Sequence, residues 1–357
     1  MRRSPSPDAV DPGRLLELID GFSGVRVAVF GDLIVDEFIY GEIARVSREA
    51  PVLILNYGST AIVPGGAGNA ASNVAALGGA AFAVGVTGQD DPGRRLMETM
   101  RHHVDVRGVV RPRGIRTPTK TRILAGGIHS AKQQVVRIDR ASSPVLADAD
   151  CRAVAAKLTS AAAKCDALLV SDYGSGMVTP ALVAEATKQL RRPGPRHSGT
   201  IAKMRSGRRP PVLVDSRYSL LRYRGMTTCT PNEAEVEALL GIRIGDDARV
   251  LEKAGREILK RTRASAVLVT RGSRGMALFE NGRATNHIPI FGSDQIADVT
   301  GAGDTVIATM TLALAAGATA LEATRLANYA GGLVVMKRGT ATITAKELSQ
   351  AVLSDCD

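Results

Sequence analysis

The sequence predicts an α/β protein with a mainly parallel central sheet flanked by helices. Short apolar segments, among them "VRVAVFG", "AFAVGV", "DALLVSD", "PVLVDS" and "ASAVLVT", alternate with stretches of helical pattern. This alternation is typical of parallel sheets that helices cover on both faces. Several strands end at polar residues, and ligands of such sheets bind beyond the carboxyl ends of the strands. Residues 36–62 and 117–138 interrupt the alternation, which predicts a small β-sheet lid beside the main sheet.

The composition narrows the possible partners of the chain. Its 357 residues are 45% hydrophobic and 23% charged, as is ordinary for a globular domain. The absence of Trp and the low aromatic content of 3% disfavour nucleic-acid binding by stacking. The four cysteines form no C-x-x-C pair, which predicts free thiols and a cytoplasmic location. No uncharged segment resembles a membrane helix, so we expect no membrane as a partner. Because of the low aromatic content, we also expect no nucleic acid as a partner.

Two segments are predicted to lie outside the packed core. Residues 1–24 show no signal-peptide pattern, and we expect a disordered leading segment ahead of one domain over 25–357. Residues 191–211 contain seven Lys or Arg and no acid, so they supply most of the formal charge of +11. A basic, Pro/Gly-rich segment without apolar periodicity predicts a flexible surface loop, with a phosphate or nucleic-acid patch as the alternative.

The first apolar strand ends in a pair of acids, Asp32 and Asp36. A carboxylate can accept hydrogen bonds from two neighbouring hydroxyl groups, which suits a sugar. Turn formation is the alternative, because Asp is common in turns. We interpret Asp36 as a ligand contact, whereas for Asp32 the two interpretations stand about equal. Asp172, Asp215 and Thr270 are further polar residues at strand ends.

The glycine-rich segment "PGGAGNAASN" contains Gly66 and Asn69 as candidate ligand contacts. Glycine lets the backbone approach a small polar ligand closely, and the Asn69 amide both donates and accepts. The alternative, which these residues alone favour, is capping of the next helix by Asn69. The segment also matches a dinucleotide fingerprint, but Pro64 precedes it and no clean strand leads into it, so we disfavour that interpretation.

Two later motifs each have a structural and a functional interpretation. "TPNEAEVEALLG" places Asn232 and Glu235 at a helix start, either as an N-cap with acids in the first turn or as water-mediated ligands of Mg²⁺. "LVTRGSRGMALF" places Gly272 and Gly275 either in a hairpin turn or in a backbone cradle for nucleotide phosphates. Neither motif alone decides between its interpretations.

The segment "DVTGAGDT" contains the most informative candidate site. Gly301, Ala302 and Gly303 leave backbone N–H groups bare at a helix start, where unpaired donors and the helix dipole favour an anion such as phosphate. Asp304 follows directly, and a capped core helix does not explain that acid. We expect the helix dipole to keep this carboxylate ionised, so that it can accept a proton from an attacking hydroxyl group.

Together these motifs resemble the ribokinase-like (PfkB-type) family of carbohydrate kinases. The resemblance runs from Val25 to Ile343, with "GGAGNAASN", "TPNEAE", "VTRGSRG" and "DVTGAGDT" in the family's order. Within the family, "GDLIVDEFIYGEIARVSREAPV", "TKTRI", "QQVVRID" and "SDYGSG" are most similar to the heptose 7-phosphate kinases. The resemblance implies a three-layer fold and transfer of the ATP γ-phosphoryl group to C1 of a heptose 7-phosphate, which supplies ADP-heptose for lipopolysaccharide.

The resemblance also implies roles for the candidate residues. The expected catalytic group is the base Asp304 with the anion hole Gly301, Ala302 and Gly303. The expected sugar contacts are Asp32, Asp36, Gly66, Asn69, Asp172 and, on the lid, Lys120, Gln134 and Arg137. The expected ATP contacts are Asn232, Glu235, Thr270, Gly272, Gly275 and Asn328, with Asn232 and Glu235 ordering Mg²⁺ through water. A monovalent cation is a further candidate cofactor.

Some features depart from the family pattern or leave choices open. Ser175 and Arg217 stand where relatives often have lysine, which removes one cation and changes the geometry of another. The candidates to hold the phosphate that the sugar already carries are Arg45, Arg48, Lys120, Arg122 and Lys132. Exposed lid strands need covering, so we expect a homodimer formed through the lid.

Two alternatives to this function remain open. The same fold could phosphorylate another sugar, sugar phosphate or nucleoside, although "ARVSREAP" and "QQVVRID" on the lid favour a heptose. A non-catalytic sugar-sensing or nucleic-acid-binding protein is the other alternative, and the presence of Asp304 disfavours it. Several relatives carry a second, nucleotidyltransferase domain; without an H-x-G-H motif, this chain is expected to be the separate kinase.

Overall fold

Two β-sheets organise the fold in the computed structural model, which describes residues 10–126, 132–140, 146–190, 209–292, 298–337 and 339–355. The strands in these ranges are β1 (Arg26–Gly31), β2 (Leu33–Val46), β3 (Leu53–Gly66), β4 (Ala80–Val86), β5 (Asp105–Val110), β6 (Thr119–Gly126), β7 (Gln133–Arg140), β8 (Ala167–Asp172), β9 (Val212–Ser216), β10 (Thr228–Cys229), β11 (Ala266–Thr270), β12 (Met276–Glu280) and β13 (Asn286–Ile288). The helices in these ranges are α1 (Pro12–Asp20), α2 (Ala67–Ala76), α3 (Asp91–Met100), α4 (Asp148–Ala162), α5 (Pro180–Gln189), α6 (Glu233–Leu240), α7 (Ala248–Thr262), α8 (Ala302–Ala316), α9 (Ala320–Val335) and α10 (Ala345–Ser354).

The larger sheet has the strand order β13-β12-β11-β10-β9-β8-β1-β4-β5. From β5 to β11 neighbouring strands pair in parallel, and β12 and β13 add an antiparallel edge. This confirms the predicted α/β class with a mainly parallel sheet. The strands are continuous apolar runs because helices bury both of their faces.

Alternate residues of β1 show how the core divides into two layers. Val27 and Val29 belong to a buried cluster that includes residues of α1, α2, α8, α9 and α10. Ala28 and Phe30 belong to a second cluster, with residues of α4, α5, α6 and α7. Because successive side chains of a strand point to opposite faces, the two clusters lie on opposite sides of the sheet. This is the three-layer arrangement that we expected.

The smaller sheet has the strand order β3-β2-β6-β7. Strands β2 and β3 form a long antiparallel hairpin, and β2 pairs with β6 in parallel. Strand β7 forms the other edge of the sheet and pairs antiparallel with β6. Near the body β2 is buried, whereas its last five residues, 42–46, are all exposed. The predicted small sheet is therefore present, and its strands extend beyond the predicted limits to Leu33, Gly66 and Arg140.

The prediction of a disordered segment over residues 1–24 is wrong from residue 12 onward. Asp11 caps helix α1 by accepting a hydrogen bond from the Gly13 N–H at 3.0 Å, and Pro12 occupies the first turn. Leu18 of this helix and Phe22 of the following 3₁₀ turn are fully buried. The segment belongs to the domain because its apolar residues recur at helical spacing and pack against the core. Residues 1–9 lie outside the described ranges.

The remaining sequence predictions about segments and thiols have mixed outcomes. Most of the basic segment 191–211 lies outside the described residues, so its prediction as a flexible loop stays a prediction. Cys151, Cys165 and Cys229 are free thiols, as expected, and Cys356 lies outside the described ranges. Among the described helices, none combines the length and apolar character that crossing a membrane requires.

Candidate active site

The start of α8 forms an open seat for an anion. Gly301 precedes the helix with a left-handed backbone (φ 80°), and a Cβ there would lie 2.5 Å from the Asn69 amide nitrogen. Only glycine fits this position without strain. The N–H groups of Gly303 and Asp304 find no hydrogen-bond acceptor within the described ranges, as expected at a helix N-terminus.

The carboxylate of Asp304 is buried and held by two side chains. The Asn69 amide donates to its Oδ2 at 2.8 Å, and the Tyr173 hydroxyl donates to its Oδ1 at 3.4 Å. Burial raises the pKa of Asp304 to about 7, and the nearby Asp36 carboxylate adds to this, whereas the hydrogen bond from Asn69 lowers it. Near neutrality the group is therefore only partly ionised, so the expectation that the helix dipole keeps it ionised holds in part, because desolvation opposes the dipole.

A buried chain of hydrogen bonds orients Asn69. The Asn73 amide donates to Asn69 Oδ1 at 3.0 Å, and the Thr305 hydroxyl donates to Asn73 Oδ1 at 2.9 Å. Since Oδ1 of Asn69 is an acceptor here, its amide nitrogen must face Asp304. The alternative that Asn69 caps a helix is wrong: α2 begins at Ala67, and Gly66 (φ 55°) occupies the cap.

A strand does lead into this glycine-rich segment, contrary to the sequence-based expectation. Strand β3 ends at Gly66 and α2 follows at once. The strand belongs to the smaller, mixed sheet and pairs antiparallel with β2, whereas the dinucleotide fingerprint needs a parallel βαβ unit. The disfavoured dinucleotide interpretation gains no support from this geometry.

Asp36 lies close to Asp304 but is already paired. It forms a buried ion pair with Arg122, and its Oδ2 accepts a 3.4 Å hydrogen bond from the Thr340 hydroxyl. A Cβ at Gly65 would lie 2.3 Å from Asp36 Oδ2, so this glycine makes room for the carboxylate. Both oxygens of Asp36 thus have a partner in the protein, and a carboxylate oxygen can accept a second hydrogen bond from a ligand.

Two other predicted sugar contacts have structural partners. Asp32 accepts a hydrogen bond from the Ser175 hydroxyl and a 2.8 Å hydrogen bond from the Tyr173 N–H. Asp172 accepts from the Ser216 and Tyr223 hydroxyls at 2.7 and 2.8 Å. Asp32, and Asp172 by accepting from the Gly174 N–H at 3.0 Å, thus hold the loop that follows β8. The roles of both acids as sugar contacts stay predictions.

A cavity of about 440 Å³ opens in front of Asp304. It brings together the sequence-predicted residues Asp172, Asn232, Glu235, Thr270, Gly272, Gly275, Gly301, Ala302, Gly303, Asp304 and Asn328. Its apolar walls, which sequence reasoning missed, include Met276, Ile290, Val299, Val306 and Val335. Apolar residues of this kind carry no sequence signal that separates them from ordinary core residues.

Asn232 and Glu235 form a complete capping box at the start of α6. Asn232 Oδ1 accepts from the Glu235 N–H at 2.9 Å, and Glu235 Oε2 accepts from the Asn232 N–H at 3.0 Å. The capping interpretation is thus confirmed, while both side chains still line the cavity. Burial raises the pKa of Glu235.

The glycines after β11 form a tight turn at the cavity edge. Gly272 and Gly275 both have positive φ, and they connect β11 to its antiparallel neighbour β12, so the hairpin interpretation is confirmed. A Cβ at Gly275 would lie 2.1 Å from the Ile288 carbonyl oxygen. Asn328 donates to the Pro289 carbonyl at 2.9 Å and so fixes the same edge.

Asp215, at the end of β9, was noted as a strand-end residue but missed as a site residue. Burial raises its pKa well above the usual value, and the charges of Glu235 and Asp304 raise it further. Within the described ranges the Asp215 side chain has no hydrogen-bond or ion-pair partner. In these same ranges, no group of three or more His, Cys, Asp or Glu side chains is placed to hold a metal ion. The charge of Arg217 acts on both Asp215 and Glu235 without forming a described ion pair with either. Two carboxylates this close together fit a divalent cation held largely through water.

The three lid residues predicted as sugar contacts differ in position. Lys120 lies beside the site, with its Nζ 4.8 Å from the centre of the Tyr173 ring. Gln134 and Arg137 lie on the exposed strand β7, and Arg137 pairs with Asp139 at 2.9 Å. Neither of these two lines the cavity in front of Asp304.

One family of proteins matches nearly the whole chain. Residues 26–347 match the family model described as pfkB family carbohydrate kinase. The chain belongs to this family. It is an ATP-dependent carbohydrate kinase, and the family resemblance drawn from its motifs is confirmed.

Curated relatives and solved structures agree with this membership. The bifunctional protein HldE of Geobacter sulfurreducens is 37% identical over 91% of this kinase and 62% of its own length. HldE of Pelobacter propionicus is 38% identical, over 93% and 64%. The kinase thus spans less than two thirds of the length of these relatives.

The solved structures establish the fold. Ribokinase of Arabidopsis thaliana, solved with ribose and ATP, has a TM-score of 0.65 and 19% identity, covering 92% of this kinase and 98% of that chain. Phosphofructokinase-2 of Escherichia coli, solved with substrates and products, has a TM-score of 0.68 and 19% identity, covering 93% and 99%. The expected ribokinase-like fold is confirmed.

Proposed function

We propose that this kinase transfers the γ-phosphoryl group of ATP to the C1 hydroxyl of D-glycero-β-D-manno-heptose 7-phosphate. The products are the 1,7-bisphosphate and ADP, in the synthesis of ADP-heptose for the lipopolysaccharide core. The observation that carries this proposal is the identity of 37–38% with HldE proteins across more than 90% of the chain. The lid motifs that resemble heptose 7-phosphate kinases lie on the smaller sheet, beside the site.

Asp304 is the proposed general base. Its carboxylate faces the cavity, and a pKa of about 7 lets it accept a proton from the attacking hydroxyl group at neutral pH. Asn69 and Tyr173 hold both carboxylate oxygens, so the side chain is fixed before the acceptor arrives. The base and the acceptor oxygen therefore meet without further reorganisation.

The start of α8 is the proposed anion hole. Phosphoryl transfer spreads negative charge over the transferred group, and catalysis consists mainly of positioning and charge stabilisation. The unpaired N–H groups at residues 303 and 304 and the helix dipole point at that charge. Ala302 and Gly303 line the cavity with minimal side chains, which leaves these donors accessible.

The proposed cofactors are Mg·ATP and, as a further candidate, a monovalent cation. The turn with Gly272 and Gly275, together with Thr270 and Asn328, would line the nucleotide. Asn232 and Glu235, with the neighbouring Asp215, would hold Mg²⁺ through water, because all three line the cavity with oxygen atoms, the ligands that Mg²⁺ prefers. When bound, Mg²⁺ neutralises charge on the phosphates. Escherichia coli phosphofructokinase-2 was solved with potassium, which supports testing K⁺.

The proposed location is the cytoplasm, since the substrate ATP is cytoplasmic. The proposed working form is a homodimer. The smaller sheet exposes apolar side chains at its edges, including Val46, Tyr57 and Val136. A second copy of the chain is the proposed cover for these edges. A monomeric mass in light scattering at micromolar concentration would exclude this assembly.

Phosphorus NMR of the purified protein with Mg·ATP tests the reaction directly. The acceptor panel contains heptose 7-phosphate, fructose 6-phosphate, ribose and a nucleoside. We expect a new anomeric phosphate signal with heptose 7-phosphate alone, and its loss in Asp304→Asn. Turnover of another acceptor would move the substrate while keeping the chemistry. No transfer to any acceptor by folded, ATP-binding protein would favour the sugar-sensing alternative.

A further inference from the structure

Two segments of the cavity wall adjoin each other at the proposed nucleotide site. One is the turn after β11, whose residues Gly272 and Gly275 line the cavity, and the other is the start of α6, where Asn232 and Glu235 line it. The proposed function places ATP against the first segment and Mg²⁺ against the second. Because Mg²⁺ bridges phosphate oxygens of a bound nucleotide, binding of Mg·ATP depends on the relative position of these two segments.

The backbone joins the two segments through few hydrogen bonds. Strand β10 has only two residues and pairs in parallel with β11. Pro231 has no N–H to donate, so the ladder is interrupted there. Beyond it, the Thr270 N–H donates to the Pro231 carbonyl at 3.0 Å, and an isolated bridge links Asn232 to Thr270. Such a short ladder fixes its strands less firmly than the ladder of five residue pairs between β8 and β9.

Glu233, the first residue of α6, joins the same two segments through its side chain. Its Oε1 accepts a 2.7 Å hydrogen bond from Arg271 Nε, and its Oε2 accepts a hydrogen bond from the Arg274 guanidinium. Both arginines belong to the turn after β11, 38 and 41 positions further along the chain. The Glu233 and Arg271 side chains are only 14% and 15% exposed, so water screens this ion pair less than it screens a surface pair.

Helix capping does not explain this arrangement of Glu233. An acid in the first turn of a helix is favourable without a side-chain partner, and Asn232 with Glu235 already completes the capping box. Glu233, Arg271 and Arg274 do not line the cavity. These three residues therefore act on a bound nucleotide by fixing the wall segments and not by direct contact.

The turn after β11 is a closed unit, so fixing its two arginines fixes its position. The Arg271 N–H donates to the Gly275 carbonyl at 2.8 Å, and the Gly275 N–H donates to the Gly272 carbonyl at 3.1 Å. The two arginines differ in burial, because the Arg274 side chain is 40% exposed and also donates to Asp246 at 2.8 Å. Arg271 is thus the more buried partner of Glu233.

We propose that Glu233 is a positioning residue for Mg·ATP: by binding Arg271 and Arg274, it holds the turn after β11 in a fixed position relative to the Mg²⁺-binding start of α6. The inference deepens the proposed function and rests on its placement of ATP and Mg²⁺ in this cavity. It does not depend on which sugar accepts the phosphoryl group.

Neutral residues of similar shape at both ends of the ion pair test the inference. Glu233→Gln, Arg271→Gln and the double variant are compared with wild type. The matched control is the exposed Glu257–Arg261 pair of α7, substituted as Glu257→Gln and Arg261→Gln. Calorimetry measures the Kd of Mg·ATP without any acceptor, so that the result is independent of the sugar. KM and kcat are measured with the acceptor that phosphorus NMR identifies.

Melting curves show which variants are folded. Arg274→Gln is a further variant that leaves the more buried pair, Glu233 with Arg271, in place. It therefore keeps the inference testable if a substitution in the buried pair prevents folding. A loss of folded protein alone would lower the measured kcat in proportion and leave the Kd of Mg·ATP unchanged.

We expect the Kd of Mg·ATP to rise about 10-fold in each single variant of the buried pair, which matches the loss of a charge-assisted hydrogen bond. The double variant should show no larger rise than the weaker-binding single variant, rather than about 100-fold, because both substitutions break one contact. Arg274→Gln should raise the Kd about 3-fold, since its ion pair is more exposed. KM for the acceptor, and the Kd of Mg·ATP in both controls, should stay within about 2-fold of wild type.

Three results would overturn the inference. The first is an unchanged Kd of Mg·ATP in the folded variants. The second is a fall in kcat at unchanged Kd, and the third is a double variant whose effect is the product of the two single effects. Weakened Mg·ATP binding in a protein that transfers no phosphoryl group would support this inference and reject the proposed reaction. Transfer to heptose 7-phosphate with an unchanged Kd in the variants would do the reverse.

Discussion

The two sheets of the molecule differ in both burial and charge. In the larger sheet the interior residues of β1, Val27 to Phe30, are fully buried, and acids such as Asp215 stand at the strand ends. The smaller sheet leaves Tyr57 69% exposed and carries cations, with Lys120 beside the site. The proposed phosphoryl-transfer machinery thus sits on a fixed core, whereas the proposed acceptor contacts come from a sheet with uncovered apolar edges. The four predictions that follow test this contrast, beginning with the core.

The largest effect is expected at Asp304. Replacing Asp304 with Asn keeps the shape and the hydrogen bond from Asn69 but removes the base, so kcat should fall about 10²–10⁴-fold. Melting curves will show whether the variant is folded. The control is Asp91→Asn, an exposed acid in the first turn of α3, which should keep full activity. A kcat for Asp304→Asn within about 3-fold of wild type would reject general-base catalysis.

A smaller effect is expected at Asp215, on the same core. Asp215→Asn removes one of two carboxylates proposed to hold Mg²⁺, so the Mg²⁺ concentration for half-maximal rate should rise about 10-fold. KM for the acceptor should change little, since the acceptor contacts come from the other sheet. Asp246→Asn, at an exposed acid before α7, is the matched control. An unchanged Mg²⁺ dependence would place the metal elsewhere.

The exposed edge of the smaller sheet gives a third test. Val136→Ser with Ile138→Ser removes two exposed apolar side chains on one face of β7. We expect the double variant to be monomeric in light scattering, while exposed substitutions of this kind change the folding free energy by about 0.5 kcal/mol or less. Leu353→Ser on α10 is a comparably exposed control. Dimers in both variants would exclude this edge as the interface.

The fourth effect concerns stability rather than rate. The folded-state pKa of Asp304, about 7, lies above its ordinary value of 3.8. The contribution of Asp304 to the free energy of unfolding is therefore full below pH 3.8 and is lost as the pH rises through 7. Asn does not titrate. Asp304→Asn should therefore gain about 2 kcal/mol of unfolding free energy relative to wild type between about pH 5 and pH 8. Urea unfolding at both pH values measures the difference, and a pH-independent difference would contradict the raised pKa.

Much of the fold could be predicted because it depends on local patterns. Apolar runs of strand length between helical stretches specify a parallel sheet wherever they occur. Helix α1 was missed because a nine-residue helix behind a polar leader offers little periodicity, although Asp11 and Pro12 are an N-terminal signal.

The chemistry of the site was only partly predictable, because it depends on contacts between distant residues. The motif around Asp304 indicates an anion seat, but the pKa of that acid depends on burial and on Asp36, which only the fold brings near. The pairing of Asp36 with Arg122 joins residues 86 positions apart. The sequence alone favoured Asn69 as a helix cap, whereas in the structure Gly66 occupies the cap position.

The most direct test of the central claim, that Asp304 is the base, is the pH dependence of kcat/KM in wild type and Asn69→Ala. The hydrogen bond from Asn69 lowers the pKa of Asp304, so its removal should move the acidic limb of the profile to higher pH. Titration of the substrate phosphates affects both proteins equally and cancels in the comparison. A limb near pH 7 in wild type that shifts upward in the variant is the predicted result. Superimposable profiles would contradict the assignment of Asp304 as the base.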